Sequence, residues 1–204
     1  EMIYDKVKHI QNSTIIRNAV NVNKYPITKC NDLRVAVVGP FLPGTQNYEA
    51  LDLLHHCVKN LPKINFDFIG DVSNDFENSF QFPNVKFLGR VQNYVEALST
   101  CSVLLSPYPE YSHIAASKTK ILEAGACKMA VLTSESGGLG FPDDFLLIAK
   151  SKNDFIEKLE YLKDNKARNS LGNNLRLEIL KNYNTETEII KLLKLYNEFL
   201  AKMP

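Results

Sequence analysis

Residues Leu104 to Gly138 read LLSPYPEYSHIAASKTKILEAGACKMAVLTSESGG, and the order of residue types in this stretch decides the fold. Val103-Leu104-Leu105 is a short apolar run, suited to a strand covered on both faces, and it ends at Pro107. A long loop follows, then a helix over Ser117 to Gly125, then a second buried strand, Ala130-Val131-Leu132, then Ser134 and the glycines 137 and 138. Strand, loop, helix, strand is the unit of a parallel α/β sheet, which binds its ligand in the loops at the carboxyl ends of the strands. Lys120 and Glu123 fall one turn apart on one face near the start of the helix. A helix N-terminus attracts anions, Lys adds a point charge and Glu accepts hydrogen bonds from sugar hydroxyls, so the parts would suit a nucleotide diphosphate. The pair alone reads more simply as a solvated helix face. The apolar strands around it and the small residues Ala124-Gly125-Ala126-Cys127 set it apart.

The same alternation extends in both directions. Val35-Ala36-Val37-Val38 predicts a strand, Gly39 to Thr45 a loop, and Tyr48 to Leu61 a helix burying Ala50, Leu53, Leu54, Cys57, Val58 and Leu61. Phe66 to Ile69 and Val85 to Leu88 predict strands that stop at Gly70-Asp71 and Gly89-Arg90, and Tyr94 to Thr100 a short helix. Phe145 to Ile148 predicts the last strand, with helices at Asn153 to Leu162 and Lys166 to Asn182. Thr185 and Glu188 form the pattern of a capping box opening a final helix. Its stripe of Ile189, Leu192, Leu193, Tyr196, Phe199 and Leu200 is expected to complete the core, or else to dock on a domain outside this chain. Before the regular part, residues 3 to 9 suggest a short helix, Ser13 to Ile16 a short strand and Asn18 to Asp32 a polar connector. The fold class is therefore α/β, a Rossmann-like parallel sheet with helices on both faces.

Composition narrows the function classes. The 204 residues are 45% hydrophobic and 23% charged, enough for one medium-large domain. A net charge of +1 argues against nucleic acid as a partner. No apolar run approaches a membrane span, and no signal peptide is visible. The chain opens on Glu1 rather than Met, as expected of a domain excised or processed from a longer chain. Cys30, Cys57, Cys101 and Cys127 form no C-x-x-C motif, and reduced, mostly buried thiols in a cytoplasmic protein are expected. His9, His55, His56 and His113 show no metal spacing. There is no G-x-G-x-x-G, no P-loop signature, no G-x-S-x-G and no D-x-D, which argues against dehydrogenase, P-loop, hydrolase and metal-diphosphate chemistry in turn. What remains is a row of strand ends carrying glycine and polar residues: Gly39, Gly70-Asp71, Gly89-Arg90, Ser106-Pro107 and Ser134.

These residues resemble the donor-binding, C-terminal domain of a GT-B glycosyltransferase, most of all the retaining glycosyl transferases group 1, or glycosyltransferase family 4. Ile15 to Asn21 looks like that family's "IPNGVD" segment between two domains, and Val38-Gly39 followed by Gln46-Asn47 like "VGR…KN". Phe68 to Asp71 is similar to "IVGDG", Val85 to Val91 to "VxFLGxV", Leu105-Ser106-Pro107 to "LxPS", and Lys120 to Val131 to "KxxEAMAxGxPVV". The resemblance implies an arm or linker over residues 1–33, a nucleotide-sugar-binding domain over 34–184 and a C-terminal helix over 185–204. It implies a nucleotide-diphosphosugar donor, no metal, and an acceptor-binding N-terminal domain preceding Glu1, through which membrane association could arise. Glu123 would hold the ribose hydroxyls, and Gly89, Arg90 and Val91 would contact the base. Ser117, Lys118, Thr119 and Lys120 would face the diphosphate, with Gln46 opening the first helix beside it, and Gly39 would let the donor approach.

The sequence also departs from the family pattern. The family's Arg after the first glycine is Pro40 here, and its Lys before the first helix is roughly Gln46. Its Glu eight residues before the position of Glu123 is Ala115, leaving Glu110 as a substitute catalytic carboxylate beside Lys120, or as a solvated loop residue. His113 could touch the sugar or lie exposed. Two other functions stay open on this architecture. One is a sugar-nucleotide epimerase, for which Glu110 and His113 are the only candidate groups. The other is a binding domain that kept the fold and lost the chemistry.

Overall fold

The computed structural model describes residues 14–28, 30–109 and 118–201. Six strands form one sheet: β1 (Arg34–Val38), β2 (Asn65–Ile69), β3 (Val85–Gly89), β4 (Val103–Ser106), β5 (Ala130–Ser134) and β6 (Leu147–Ala149). Their spatial order is β3-β2-β1-β4-β5-β6, and every pairing is parallel. The helices are α1 (Gln46–Glu49), α2 (Leu51–Asn60), α3 (Asn74–Asn78), α4 (Tyr94–Ser99), α5 (Thr119–Ala126), α6 (Glu135–Gly138), α7 (Lys152–Tyr161), α8 (Asn165–Asn182) and α9 (Thr185–Leu200). This is the expected Rossmann-like α/β architecture, and its chain order reverses between β1 and β4. In a sheet of this kind the crevice at that reversal is where ligands bind.

The strands are hydrophobic along their length because both faces are covered. Val35 and Val37 of β1 face one core with Val103 and Leu105 of β4, Leu54, Cys57 and Val58 of α2, and Phe155 and Leu159 of α7. Ala36, Val38 and Leu104 face the other core, with Ile121, Leu122 and Ala124 of α5 and Leu175 and Ile179 of α8. Phenylalanines dominate the first core. Phe68 has ring centroids within 5.3 Å of Phe41, Phe80 and Phe87. The one charged side chain inside β2, Asp67, accepts from Arg34 Nη1 at 3.1 Å to both carboxylate oxygens. Three thiols, Cys57, Cys101 and Cys127, are buried, which pushes their pKa values up to about 12 and leaves them protonated.

Several boundaries move for physical reasons. The expected helix from Tyr48 starts instead at Gln46, capped by the Thr45 hydroxyl. Helix α3, capped by Ser73, lacks enough apolar periodicity to stand out in sequence; only Phe76 is buried. Phe145 belongs to a 3-10 turn, Asp143–Phe145, so β6 begins at Leu147. Residues 14–16 form no strand; the arm reaches the body at Val20, whose N–H donates to Tyr183 O at 2.9 Å, while Thr185 N donates back to Val20 O at 3.2 Å. Residues 3 to 9 and Ser13 lie outside the described residues.

The final helix departs most from expectation. Its cap is Asn184, not Thr185, and Glu188 turns inward to accept from the backbone N–H of Arg17 at 2.8 Å. The apolar stripe does not complete the core: Ile189, Ile190, Leu193, Tyr196, Phe199 and Leu200 are 48% to 67% exposed. No helix among the described residues is long and apolar enough to cross a membrane.

Three substitutions separate core from stripe. Phe68→Ala should lower the unfolding free energy by about 3–5 kcal/mol in urea titration, through lost transfer energy and a residual cavity. The pair Ile190→Glu and Leu193→Glu should each change it by less than about 0.5 kcal/mol, as exposed positions do. A core-sized loss at Leu193 would mean that α9 is held by this domain after all.

Candidate functional site

The end of β1 is held open by a network of small residues and amide groups. Gly39 N donates to Ile69 O at 2.7 Å and Gly70 N to Gly89 O at 2.9 Å, so the turns after β1, β2 and β3 are laced side by side. A Cβ on Gly39 would lie 2.8 Å from the Phe41 ring, and one on Gly70 3.1 Å from the Gly39 Cα. Gly70 also sits at φ +129°, which side chains rarely adopt. Asn47, buried at the start of α1, donates through Nδ2 to Val38 O at 2.8 Å and to Pro40 O at 3.1 Å, clamping the turn. A cavity of about 300 Å³ opens above these turns, lined by Val38, Gly39, Gly70, Gly89, Val91 and Tyr94 together with Pro40, Ile69, Asp71 and Arg90. At its rim Arg90 donates to Asp71, Nε to Oδ1 at 3.1 Å and Nη2 to Oδ2 at 2.5 Å. Both partners are too exposed for that pair to add much stability.

Helix α5 brings the charged groups to the same edge. Lys120 Nζ donates at 2.7 Å to the carbonyl of Val38, a residue that lines the cavity. Burial lowers its pKa from 10.5 to about 8, opposed only partly by Glu123. Glu123 is half-buried and accepts from Tyr25 OH at 3.0 Å on Oε1 and from Tyr94 OH at 2.9 Å on Oε2. Burial first, and the Glu123 charge second, raise both phenols well above their ordinary pKa. Lys118 occupies the cap position of α5 without a side-chain cap bond. Its ammonium sits 5.0 Å from the centroid of the Tyr108 ring, and burial lowers its pKa. Thr119, the first residue of the helix, is exposed. The side chain at the cap position makes no cap bond to this first turn, and a helix N-terminus is a place where backbone amides can receive an anion.

The ends of β4 and β5 are stitched by hydroxyls. Tyr108 N donates to Ser134 Oγ at 2.9 Å and Ser134 Oγ to Tyr108 O at 2.7 Å, while Thr133 Oγ1 donates to Ser106 O at 2.6 Å. A Cβ on Gly137 would come within 1.9 Å of Thr133 Oγ1, so this close turn requires glycine. A second cavity of about 550 Å³ lies beyond it, spanned by the Glu135–Lys150 ion pair at 3.6 Å. Among the described residues no group of three His, Cys, Asp or Glu side chains is placed to hold an ion.

The tertiary structure thus brings Gly39, Gly89, Arg90 and Val91 to one cavity, with Lys120 and Glu123 at its border. Gln46 is half-buried at the start of α1 and does not line that cavity; its neighbour Asn47 makes the clamp. Glu110, His113, Ala115 and Ser117 lie outside the described residues. Sequence reading passed over Asn47, Tyr25 and Tyr94. Asn47 stood inside a quoted motif and could have been singled out. Tyr25 is 98 residues from Glu123 and carries no local signal.

An open parallel sheet that reverses between β1 and β4 is the Rossmann-like architecture of the domains of GT-B glycosyltransferases. The model of the family described as glycosyl transferase-like matches residues 47–194, and the chain belongs to that family. Among solved structures, HepE from Anabaena in complex with UDP and glucose superposes with a TM-score of 0.75 at 13% identity, over 91% of this chain and 57% of that one. A TarM variant from S. aureus, in complex with Fondaparinux, alpha-GlcNAc-glycerol and UDP, gives 0.73 at 20% identity, over 95% and 41%. A glycosyltransferase from Rickettsia africae gives 0.72 at 13% identity, over 93% and 58%. The chain therefore spans about two fifths to three fifths of the length of these structures. No curated protein matches it in sequence.

The desolvated, half-buried Lys120 generates a pH test. Its folded pKa lies below its unfolded one, so the unfolded chain holds the extra proton between about pH 8 and 10.5 and stability rises with pH across that window. The stability of the native chain relative to Lys120→Met should climb over that range in urea titrations, with a slope of at most one proton. A flat difference would mean that Lys120 titrates as a solvated lysine.

Proposed function

We propose that this chain is the donor-binding domain of a glycosyltransferase that transfers a hexosyl group from a nucleotide-diphosphosugar, with retention and without a metal, to an acceptor held by an N-terminal domain. The observation that carries the reading is that Lys120 and Glu123 of α5 bond Val38 and Tyr94, two residues lining the cavity at the ends of β1, β2 and β3. In this reading the base lies against Gly89, Arg90 and Val91, and Glu123 receives the ribose hydroxyls. The diphosphate meets Lys118, Thr119, Lys120 and the amides of α5, with Ser117 preceding them, and Gly39 leaves room for its approach. The UDP in the HepE and TarM structures supports a nucleotide of this kind.

As the bond from the anomeric carbon to the phosphate oxygen breaks, the diphosphate leaves with the electron pair. The acceptor hydroxyl oxygen bonds to the carbon and gives its proton to the departing phosphate. The helix terminus and the cations stabilise the charge that develops on the leaving group. Glu110 is the carboxylate proposed to assist beside Lys120. The exposed stripe of α9 supports docking toward the acceptor domain, and any membrane contact would come through that domain. The isolated chain should accordingly bind nucleotide yet transfer little sugar.

Thermal denaturation with UDP, GDP and ADP, alone and as sugar conjugates, checks this reading. A ligand at about 100 times its Kd adds about 2.7 kcal/mol, a shift of roughly five to ten degrees for a chain of this size. One base should give the shift, and Glu123→Ala should abolish it. No shift with any of them at millimolar concentration would favour a domain that kept the fold without the chemistry, a reading supported by Pro40 and Gln46 standing where the family carries cations.

A further inference from the structure

We infer that Tyr25 and Tyr94 are positioning residues for donor binding, and that Tyr25 makes the orientation of Glu123 depend on the seating of the N-terminal arm. The inference rests on the donor reading above. The two phenols come from opposite parts of the chain: Tyr94 opens α4, and Tyr25 follows the 3-10 turn Val22–Lys24 of the arm. Each donates to a different oxygen of the same carboxylate, at 3.0 Å and 2.9 Å. A carboxylate offers about four lone-pair sites, so two donors, one per oxygen, lock its plane and leave one site on each oxygen unused. That is the pattern a cis diol requires, since its two hydroxyls must each find an oxygen of a carboxylate already held in the right plane. Glu123 is half-buried rather than enclosed, so the unused side remains approachable, and Tyr94 itself lines the cavity.

The arm is not free to place Tyr25 anywhere. Val20 and Val22 are buried in the core, Val20 is hydrogen-bonded to Tyr183 and Thr185 at the α8–α9 junction, and Thr28 Oγ1 donates to Cys101 O at 2.7 Å. Seating of the arm and orientation of Glu123 are then one event. A helix glutamate left to itself would sample several rotamers, and the diol would have to select one of them.

The test is calorimetric titration of UDP and 2′-deoxy-UDP into the wild-type protein, Tyr25→Phe and Tyr94→Phe, with GDP or ADP and their deoxy forms substituted if thermal denaturation selects another base. Each variant keeps the ring and loses one hydrogen bond. UDP should bind the variants roughly three- to tenfold more weakly than wild type. With 2′-deoxy-UDP, which cannot engage both carboxylate oxygens, the variant and wild-type affinities should converge. Equal losses with both nucleotides would reduce the tyrosines to structural roles and overturn the inference. So would unchanged or tighter UDP binding in Tyr25→Phe, which would make the phenol a competitor of ribose. The donor reading fails separately: if wild type binds no nucleotide, or Glu123→Gln binds UDP as wild type does, that reading falls and the inference with it.

Discussion

The structure depends on one constraint: β1, β4 and β5 must be covered on both faces. A strand such as Val35-Ala36-Val37-Val38 has no side that water could wet, so helices have to be supplied above and below it. In a parallel sheet that can be done only by crossover connections, which return the chain to the same edge each time. The carboxyl ends of all six strands therefore gather on one side, and the reversal between β1 and β4 opens a crevice there. The position of the cavity beside Gly39, Gly70 and Gly89 follows from how the core is closed.

Placing charge at that crevice is costly, and the chain handles each group differently. Lys120 is sunk far enough to lose part of its proton affinity and is anchored on the Val38 carbonyl, which Asn47 also holds. Glu123 is surrounded by donors that cannot neutralise it but can fix its direction. Arg90 and Asp71 stay in solvent at the rim, where pairing has little energetic consequence. The carboxylate and the desolvated lysine are thus both held in place by neutral partners, without an opposite charge bonded to either among the described residues.

The open stripe on α9 stands apart from this economy. Six large apolar side chains in contact with water, on a helix whose only buried residue is Glu188, make a surface that gains free energy when covered. The helix is tied to the arm near its start, through Glu188 and Arg17.

Much of this was legible in the amino-acid order. Apolar runs four or five residues long, broken by glycine and alternating with helical periodicity, specify strand identity and a parallel sheet, because that pattern is a direct consequence of double-sided burial. Gly39, Gly89, Arg90 and Val91 could be placed at one edge for the same reason: every strand of such a sheet ends there. The burial of α9 could not be read, since an apolar stripe looks alike whether it faces its own core or a partner. The tyrosine pair could not be read either. Tyr25 sits in a polar connector with no periodicity, and only the folding of the arm across the sheet brings its hydroxyl to a carboxylate 98 residues away. Local pattern determined the sheet and the side on which its site lies; long-range packing alone decided which side chains hold Glu123 and Lys120 in place, because such contacts leave no trace in neighbouring residues.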